Sequence, residues 1–122
     1  MNIRRIGYVA SEITKHRGIA VCAPIAPYAQ IRDEVRQNVS EFGGFIEIYI
    51  ATPLAVCESR DSKGLYRLAR QGVIKNFTGI SDPYEEPLTA ELTIDTSKVS
   101  VVEAVDKILN YLQSAGYIKD SL

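Results

Sequence analysis

Five cationic side chains stand close together between residues 60 and 75 of this 122-residue chain. Lys63, Arg67 and Arg70 recur at steps of four and three, the spacing that puts side chains on one face of a helix. Arg60 lies just before them and Lys75 just after. This pattern suits the binding of phosphate or sulfate groups, because arginine and lysine supply charge-assisted hydrogen-bond donors. A solvated helix face without any ligand is the alternative interpretation, and it stays open.

The segment KNFTGISDPYEEP, residues 75–87, follows these cations and has neither a helical nor a strand period. It combines Phe77 with a glycine, two prolines and four charged side chains, which indicates a loop that closes over something. Phe77 has two interpretations. It caps a small hydrophobic cluster, or it stacks on a nucleobase.

Composition and charge limit the classes of function. The length suits one domain, and 14 Lys plus Arg against 15 Asp plus Glu argue against a nucleic-acid partner. The sequence contains no apolar run long enough to span a membrane and no signal-peptide pattern, so we expect a cytoplasmic protein with no membrane partner. Cys22 and Cys57 each lie in an apolar stretch and are expected to be buried, reduced thiols. With a single histidine, no metal site is expected.

Apolar periodicity predicts helices that alternate with strands. Helices are predicted at residues 2–15, 28–41, from 53, 63–70 and from 100, and strands at 19–25, 45–51 and 91–96. The last helix should begin with a capping box of Ser100 and Glu103. Its apolar side chains are expected to point inward: Val101, Val105, Ile108 and Leu112. The alternation predicts an α/β fold with a parallel sheet and helices on both faces, which by itself fixes no function.

Several segments match one known family in the same order and at the same spacing. They are NIRRIG (2–7), PIAPY (24–28), FIEIYIATPLAVCESRDSKGLYRLAR (45–70), GVIKNFTGISDPYEEP (72–87) and DT (95–96). Each segment alone is a weak signal, but the collinear set is specific. The chain resembles adenylylsulfate kinase, which phosphorylates the 3′-hydroxyl of adenosine 5′-phosphosulfate (APS) to make 3′-phosphoadenosine 5′-phosphosulfate (PAPS) in sulfate assimilation. The closing AGYIKD and the alanine in IAPY look most like the kinase domain of bifunctional ATP sulfurylase/APS kinase enzymes.

The resemblance implies a P-loop NTPase-type sheet and a role for individual residues. Residues from about 60 to 87 would form a lid that folds over both nucleotides and excludes water. The positions that match APS-binding residues are Asn2, Ile25, Ala26, Lys63, Asn76 and Phe77, with the Phe77 ring against the adenine. Arg60 and Val99 match the walls of the ATP adenine pocket. From their spacing, Arg67 and Arg70 are expected to face phosphate groups as the lid closes.

Two departures from the family pattern change the expected chemistry. Many members have a serine at the position of Ala26, and in some of them that serine carries a phosphate. Because alanine cannot carry a phosphate, we expect direct transfer between the nucleotides here. The family's phosphate loop, G-x-x-x-x-G-K-[ST], cannot be placed, because this sequence contains no Gly-Lys dipeptide. The resemblance is therefore expected to cover the C-terminal two-thirds of a kinase domain, 1–122, without its N-terminal strand, phosphate loop and base. No catalytic residue and no metal ligand is assigned.

Two explanations compete for the missing parts. The chain is a part of a longer enzyme that uses ATP and Mg²⁺ and is fused to an ATP sulfurylase domain, or it is a non-catalytic APS-binding or regulatory module. In either case we expect APS and ATP as ligands, no cofactor held by the chain alone, and no kinase activity from these residues alone. Apolar strand edges favour self-association, and the lid at residues 72–87 is expected to be mobile without nucleotide.

Overall fold

A computed structural model describes residues 2–119 of the chain. The elements are α1 (Asn2–Lys15), α2 (Ala29–Ser40), β1 (Ile48–Ile50), α3 (Leu54–Arg60), α4 (Leu65–Arg70), β2 (Leu92–Ile94) and α5 (Val101–Ser114). Strands β1 and β2 pair in parallel, with Ile48, Tyr49 and Ile50 opposite Leu92, Thr93 and Ile94. The combination of helices with a parallel sheet confirms the predicted α/β class.

The chain divides into two compact units. Unit 1 holds the residues up to Ile46 together with Pro83–Leu88, and unit 2 holds Glu47–Asp82 and the described residues from Thr89 onward. The lid segment predicted from the sequence is therefore shared, since it belongs to unit 2 up to Asp82 and to unit 1 afterwards.

Unit 1 is built on the packing of α1 against α2. Gly7, Ala10 and Ser11 are buried on α1, and Val39 is buried on α2. A Cβ atom at Gly7 would lie 2.6 Å from Cγ2 of Val35, so glycine is what lets the two helices approach. The helix predicted at residues 2–15 is confirmed with those bounds.

The strand predicted at residues 19–25 is wrong. These residues are irregular and pair with no strand of the described chain, and Val21 and Ile25 are 92% and 67% exposed. An apolar run becomes a strand only where neighbouring strands satisfy its N–H and C=O groups, and Pro24 has no N–H to offer. The sheet of the described residues accordingly has two strands instead of the expected three.

The loss of that strand also corrects the expectation for the cysteines. Cys22 lies in the irregular segment and is exposed, while Cys57 is half-buried in α3, and both are free thiols. No helix in residues 2–119 has the length and apolar character that a membrane span requires.

Unit 2 places α5 after β2. The predicted capping box is confirmed, since Glu103 N–H donates to Ser100 Oγ at 3.2 Å and Ser100 N–H donates to the Glu103 carboxylate at 2.7 Å. The expectation that all four apolar side chains of α5 point inward is wrong for two of them. Val101 is 81% exposed and Val105 is 46% exposed, because a cavity, and not a packed element, borders these turns.

Candidate functional site

Two threonines fix the carboxyl ends of the parallel strands in unit 2. Thr52 follows β1 and Thr96 follows β2, and their hydroxyl oxygens lie 2.6 Å apart. The backbone N–H of Thr96 also donates to Thr52 Oγ1 at 3.1 Å. Ligands of open parallel sheets bind at this edge, outside the carboxyl ends of the strands. The threonine pair therefore holds the strand ends together where a ligand site is expected.

Arg60, the last residue of α3, reaches the same edge. Its Nη1 donates to Thr96 Oγ1 at 2.8 Å and its Nη2 donates to the Thr96 carbonyl oxygen at 2.9 Å. A guanidinium plane fixed in this way offers a flat surface on which a nucleobase can stack. Thr52 and Thr96 both lie in segments that match the family, but no role was predicted for either. A threonine two residues after the end of each strand was the available signal.

A cavity of about 390 Å³ lies between this edge and the start of α5. Its wall includes Arg60 and Val99, the two residues predicted for an ATP adenine pocket. The remaining lining residues are Thr96, Ser100, Val101, Ala104, Val105 and Ile108. Mainly apolar walls with a few polar groups are typical of small-molecule sites. The structure thus brings the two predicted residues together at a cavity whose lining suits a base.

Asp61 organises the turn between α3 and α4. Its carboxylate accepts the backbone N–H groups of Tyr66 and Arg67, each at 3.0 Å, and so caps the start of α4. Desolvation raises the pKa of the Asp61 carboxyl, but the backbone donors of Arg67, Tyr66 and Leu65 outweigh it, so the pKa lies below its ordinary value. No role was predicted for Asp61 from the sequence, although an aspartate shortly before a predicted helix is a known start signal.

The cationic face predicted for a helix at residues 63–70 is shorter in the structure, because the helix begins after Gly64. Gly64 adopts a left-handed φ of +68°, so α4 begins at Leu65 and Lys63 lies before the helix instead of on its face. Arg70 donates its Nε and Nη2 to the two carboxylate oxygens of Glu58, at 2.9 and 2.6 Å. This hydrogen-bonded pairing lowers the pKa of Glu58. An anion that reaches Arg70 has to compete with Glu58, and the phosphate-facing role stays a prediction.

The lid residues of unit 2 form a tight turn around Phe77. Its carbonyl oxygen accepts the N–H groups of Ile80, Ser81 and Asp82 at 3.0 to 3.1 Å, and its own N–H donates to Ser81 Oγ at 2.8 Å. The Phe77 ring meets Tyr66 edge to face, with ring centres 5.1 Å apart. Phe77 is therefore half-buried against Tyr66, which agrees with its interpretation as part of a small hydrophobic cluster. The contact of its ring with adenine stays a prediction.

Two of the six residues predicted to bind APS have an unusual backbone. Ala26 has a φ of +44° and Asn76 a φ of +55°, and Arg17 is the third non-glycine residue with positive φ in the described chain. Asparagine tolerates the left-handed region, but alanine rarely enters it. Residues held in such conformations cluster at binding and active sites, so the backbone makes these two positions site candidates on grounds other than the resemblance.

The predicted APS residues are distributed over both units. Unit 1 carries Asn2 at the start of α1, the largely exposed Ile25, and Ala26; unit 2 carries Lys63, Asn76 and Phe77. Within residues 2–119, no group of three or more histidine, cysteine, aspartate or glutamate side chains could hold a metal ion.

Comparison with known proteins identifies the family. The family model described as adenylylsulphate kinase matches residues 1–95. A protein of Synechococcus sp. named adenylyl-sulfate kinase is 48% identical over 97% of this chain, and one of Shewanella amazonensis with the same name is 53% identical over 96%. A protein of Aspergillus oryzae named sulfate adenylyltransferase is 47% identical over 95% of this chain and is matched over 20% of its own length.

Solved structures show the same relationship. The APS kinase of Mycobacterium tuberculosis in complex with AMPPNP and APS has a TM-score of 0.87 and 34% identity, over 92% of this chain and 65% of that one. A hexameric APS kinase from Thiobacillus denitrificans has a TM-score of 0.69 and 43% identity, over 97% of this chain and 18% of that one. The fold is thus the α/β, P-loop NTPase type of these kinases.

The matches also measure how much of the family's length is present. This chain spans 65% of the Synechococcus relative and 59% of the Shewanella relative. Within that span the identity is close to one residue in two, and the family model covers residues 1–95. The chain belongs to the adenylylsulphate kinase family.

Proposed function

We propose that this chain supplies the APS-binding residues and the adenine pocket for ATP in an enzyme that transfers a phosphoryl group to the 3′-hydroxyl of APS. The observation that carries the proposal is the left-handed backbone of Ala26 and Asn76. Such a conformation costs about 1–3 kcal/mol at a non-glycine residue and persists where surrounding contacts hold it. Both residues stand at positions for which APS contact is predicted.

Each proposed binding residue has a chemical reason. Phe77 sits in a hydrogen-bonded turn, and its ring can present a face to the adenine of APS once it leaves the edge of Tyr66. Lys63 lies before α4, where its ammonium group can reach a phosphosulfate. In unit 2, Arg60 and Val99 line the cavity that would take the adenine of ATP. We further propose that Arg67 and Arg70 screen phosphate charge, with Arg70 exchanging Glu58 for the nucleotide.

The 122 residues on their own are proposed to bind and not to catalyse. Phosphoryl transfer needs a phosphate cradle, a cation and a group that orients the attacking hydroxyl, and this sequence contains no Gly-Lys of a phosphate loop. The loss of such positioning and electrostatic groups removes several orders of magnitude in rate. Mg²⁺ and an ATP sulfurylase partner domain belong to the complete enzyme in this proposal. Because Ala26 cannot carry a phosphate, transfer there is direct.

Titration of the 122-residue chain with APS in a calorimeter tests the binding part. We expect saturable binding that weakens at least tenfold, about 1.4 kcal/mol, in Phe77→Ala and in Lys63→Ala. Phe42→Ala and Lys107→Ala are matched controls, because they remove the same side chains at positions without a proposed ligand contact. Absence of saturable binding by the unaltered chain, or unchanged affinity in both test variants, would refute the proposal.

A kinase assay with ATP, Mg²⁺ and APS tests the catalytic part. We expect no PAPS above a blank without protein. Product above the blank would show that these residues contain a phosphate-binding arrangement of another kind. Binding without turnover is also what a non-catalytic APS-binding or regulatory module would show, and tighter binding of PAPS than of APS would favour that second candidate, which senses the product.

A further inference from the structure

We propose that Arg32 is a positioning residue, which fastens the end of the lid segment to the turn at Ala26. The five residues that make these contacts, Ala26, Pro27, Ala29, Arg32 and Glu85, are called the latch below. All of them belong to unit 1. The part of this inference that concerns APS rests on the proposed function, whereas the fastening rests on the contacts alone.

The guanidinium of Arg32 links two backbone segments. Its Nη1 donates to the Ala26 carbonyl oxygen at 2.8 Å, and its Nη2 donates to the Glu85 carbonyl oxygen at 2.7 Å. The same group lies over the ring of Tyr84, 5.8 Å from the centre. A rigid planar fork can satisfy two carbonyls at fixed positions, but the single ammonium group of a lysine lacks that geometry.

Glu85 makes the remaining contacts of the latch with both its backbone and its side chain. Its N–H donates to the Pro27 carbonyl oxygen at 2.8 Å, and its carboxylate accepts the Ala29 N–H at 2.6 Å. Ala29 is the first residue of α2, and the preceding Tyr28 gives no side-chain cap. Glu85 therefore caps the start of α2 from a segment far along the sequence.

These contacts make the shape of the turn depend on the lid segment. The strained Ala26 is held through its own carbonyl by Arg32, and the next carbonyl along the chain is held by Glu85. If Pro83–Leu88 leaves its place, the Pro27 carbonyl loses its bond from Glu85 and the Arg32 guanidinium loses the Glu85 carbonyl oxygen. The docking of the lid end and the shaping of the APS-side turn are then a single event.

Hydrogen exchange of the 122-residue chain, with Arg32→Lys as the test variant, measures the latch. We expect the amides of Glu85 and Ala29 to exchange at least tenfold faster, while the Ala51 amide, bonded to Ile94 in the sheet, stays within twofold. Arg4→Lys is the matched control, because Arg4 also forms a two-point contact with α2, to Glu34, away from the turn. It should leave all three amides unchanged.

The APS titration separates the two levels of the inference. In Arg32→Lys the affinity should fall about tenfold, and in Arg4→Lys it should not change. Unchanged exchange at Glu85 and Ala29 overturns the latch, and equal acceleration at Ala51 overturns it as well, since Arg32 would then support the whole fold. If exchange responds as expected and the unaltered chain binds APS with an affinity that Arg32→Lys does not alter, the positioning role is refuted. If the unaltered chain binds no APS, the proposed function fails and the exchange data alone decide the latch.

Discussion

Ile94 is the residue on which unit 2 depends most, and its truncation should show this directly. It is 2% exposed and ends β2, two residues before Thr96, which accepts the hydrogen bonds of Arg60. Ile94→Ala removes three carbon groups, worth about 2.4 kcal/mol at about 0.8 kcal/mol each, before the cost of the cavity is added. With the cavity, we expect a loss of about 3–4 kcal/mol, within the usual range for such substitutions. That is a large part of a total stability of about 5–15 kcal/mol.

Ile50 provides a control within the same strand pair. It lies directly opposite Ile94 in the register but is 52% exposed. Ile50→Ala removes the same atoms from a half-solvated position, so about half of the transfer term is lost and solvent fills the space. We expect a loss of about 1 kcal/mol.

Urea denaturation followed by circular dichroism measures both variants. With a slope of about 1–3 kcal/mol per molar urea, Ile94→Ala should lower the midpoint by about 1–4 M and Ile50→Ala by less than half as much. The slopes themselves should stay equal. Equal losses in the two variants, or a larger loss at Ile50, would refute the assignment of the unit 2 core to Ile94.

Three further predictions concern pH, association and the lid. The hydrogen bonds from Arg70 and from Ser97 lower the pKa values of Glu58 and Asp95, so their charged forms stabilise the fold above the ordinary pKa of about 4. This stabilisation is lost as the pH falls through the lower folded-state pKa values, and the urea midpoint should drop less steeply below about pH 5 in Glu58→Gln. Light scattering should show self-association through the exposed apolar segment 19–25, reduced by Val21→Asp, whereas a monodisperse monomer would contradict it. Amides of residues 72–82 should exchange quickly in the free chain and slow down with APS, and identical rates would argue against a mobile lid.

Local periodicity predicted the helices well, because their hydrogen bonds join residues close in sequence. The bounds of α1 agree with the structure, and the capping box of α5 is present as expected. Strands depend on partners far along the chain, which a local pattern does not contain. The predicted strands at residues 45–51 and 91–96 pair as β1 and β2, although each strand is only three residues long. The segment at 19–25 pairs with no strand of the described chain.

The family resemblance named candidate site residues that periodicity alone did not. Arg60 and Val99 came from the resemblance, and the structure places them at one cavity. The contacts that hold the site had no such signal. Arg32 and Glu85 are 53 positions apart in the sequence. The hydrogen bond from Arg32 goes to the backbone oxygen of residue 85, so it cannot be predicted from the type of residue at that position. Asp61 was recoverable as a helix cap, but only with the start of α4 placed at Leu65.

Ala26 and Asn76 show two ways in which a left-handed backbone conformation is stabilised. Asn76 belongs to a residue type that tolerates this region, and the turn that follows it closes locally through the Phe77 carbonyl. Alanine rarely adopts this conformation, and the Ala26 side chain has no hydroxyl or amide group to stabilise it. The turn at Ala26 therefore depends on the hydrogen bonds of Arg32 and Glu85. The conformation of Ala26 is thus kept by contacts from α2 and from the segment Pro83–Leu88. The strain at Ala26 therefore reports on the docking of Pro83–Leu88, whereas the strain at Asn76 reports on the local turn alone.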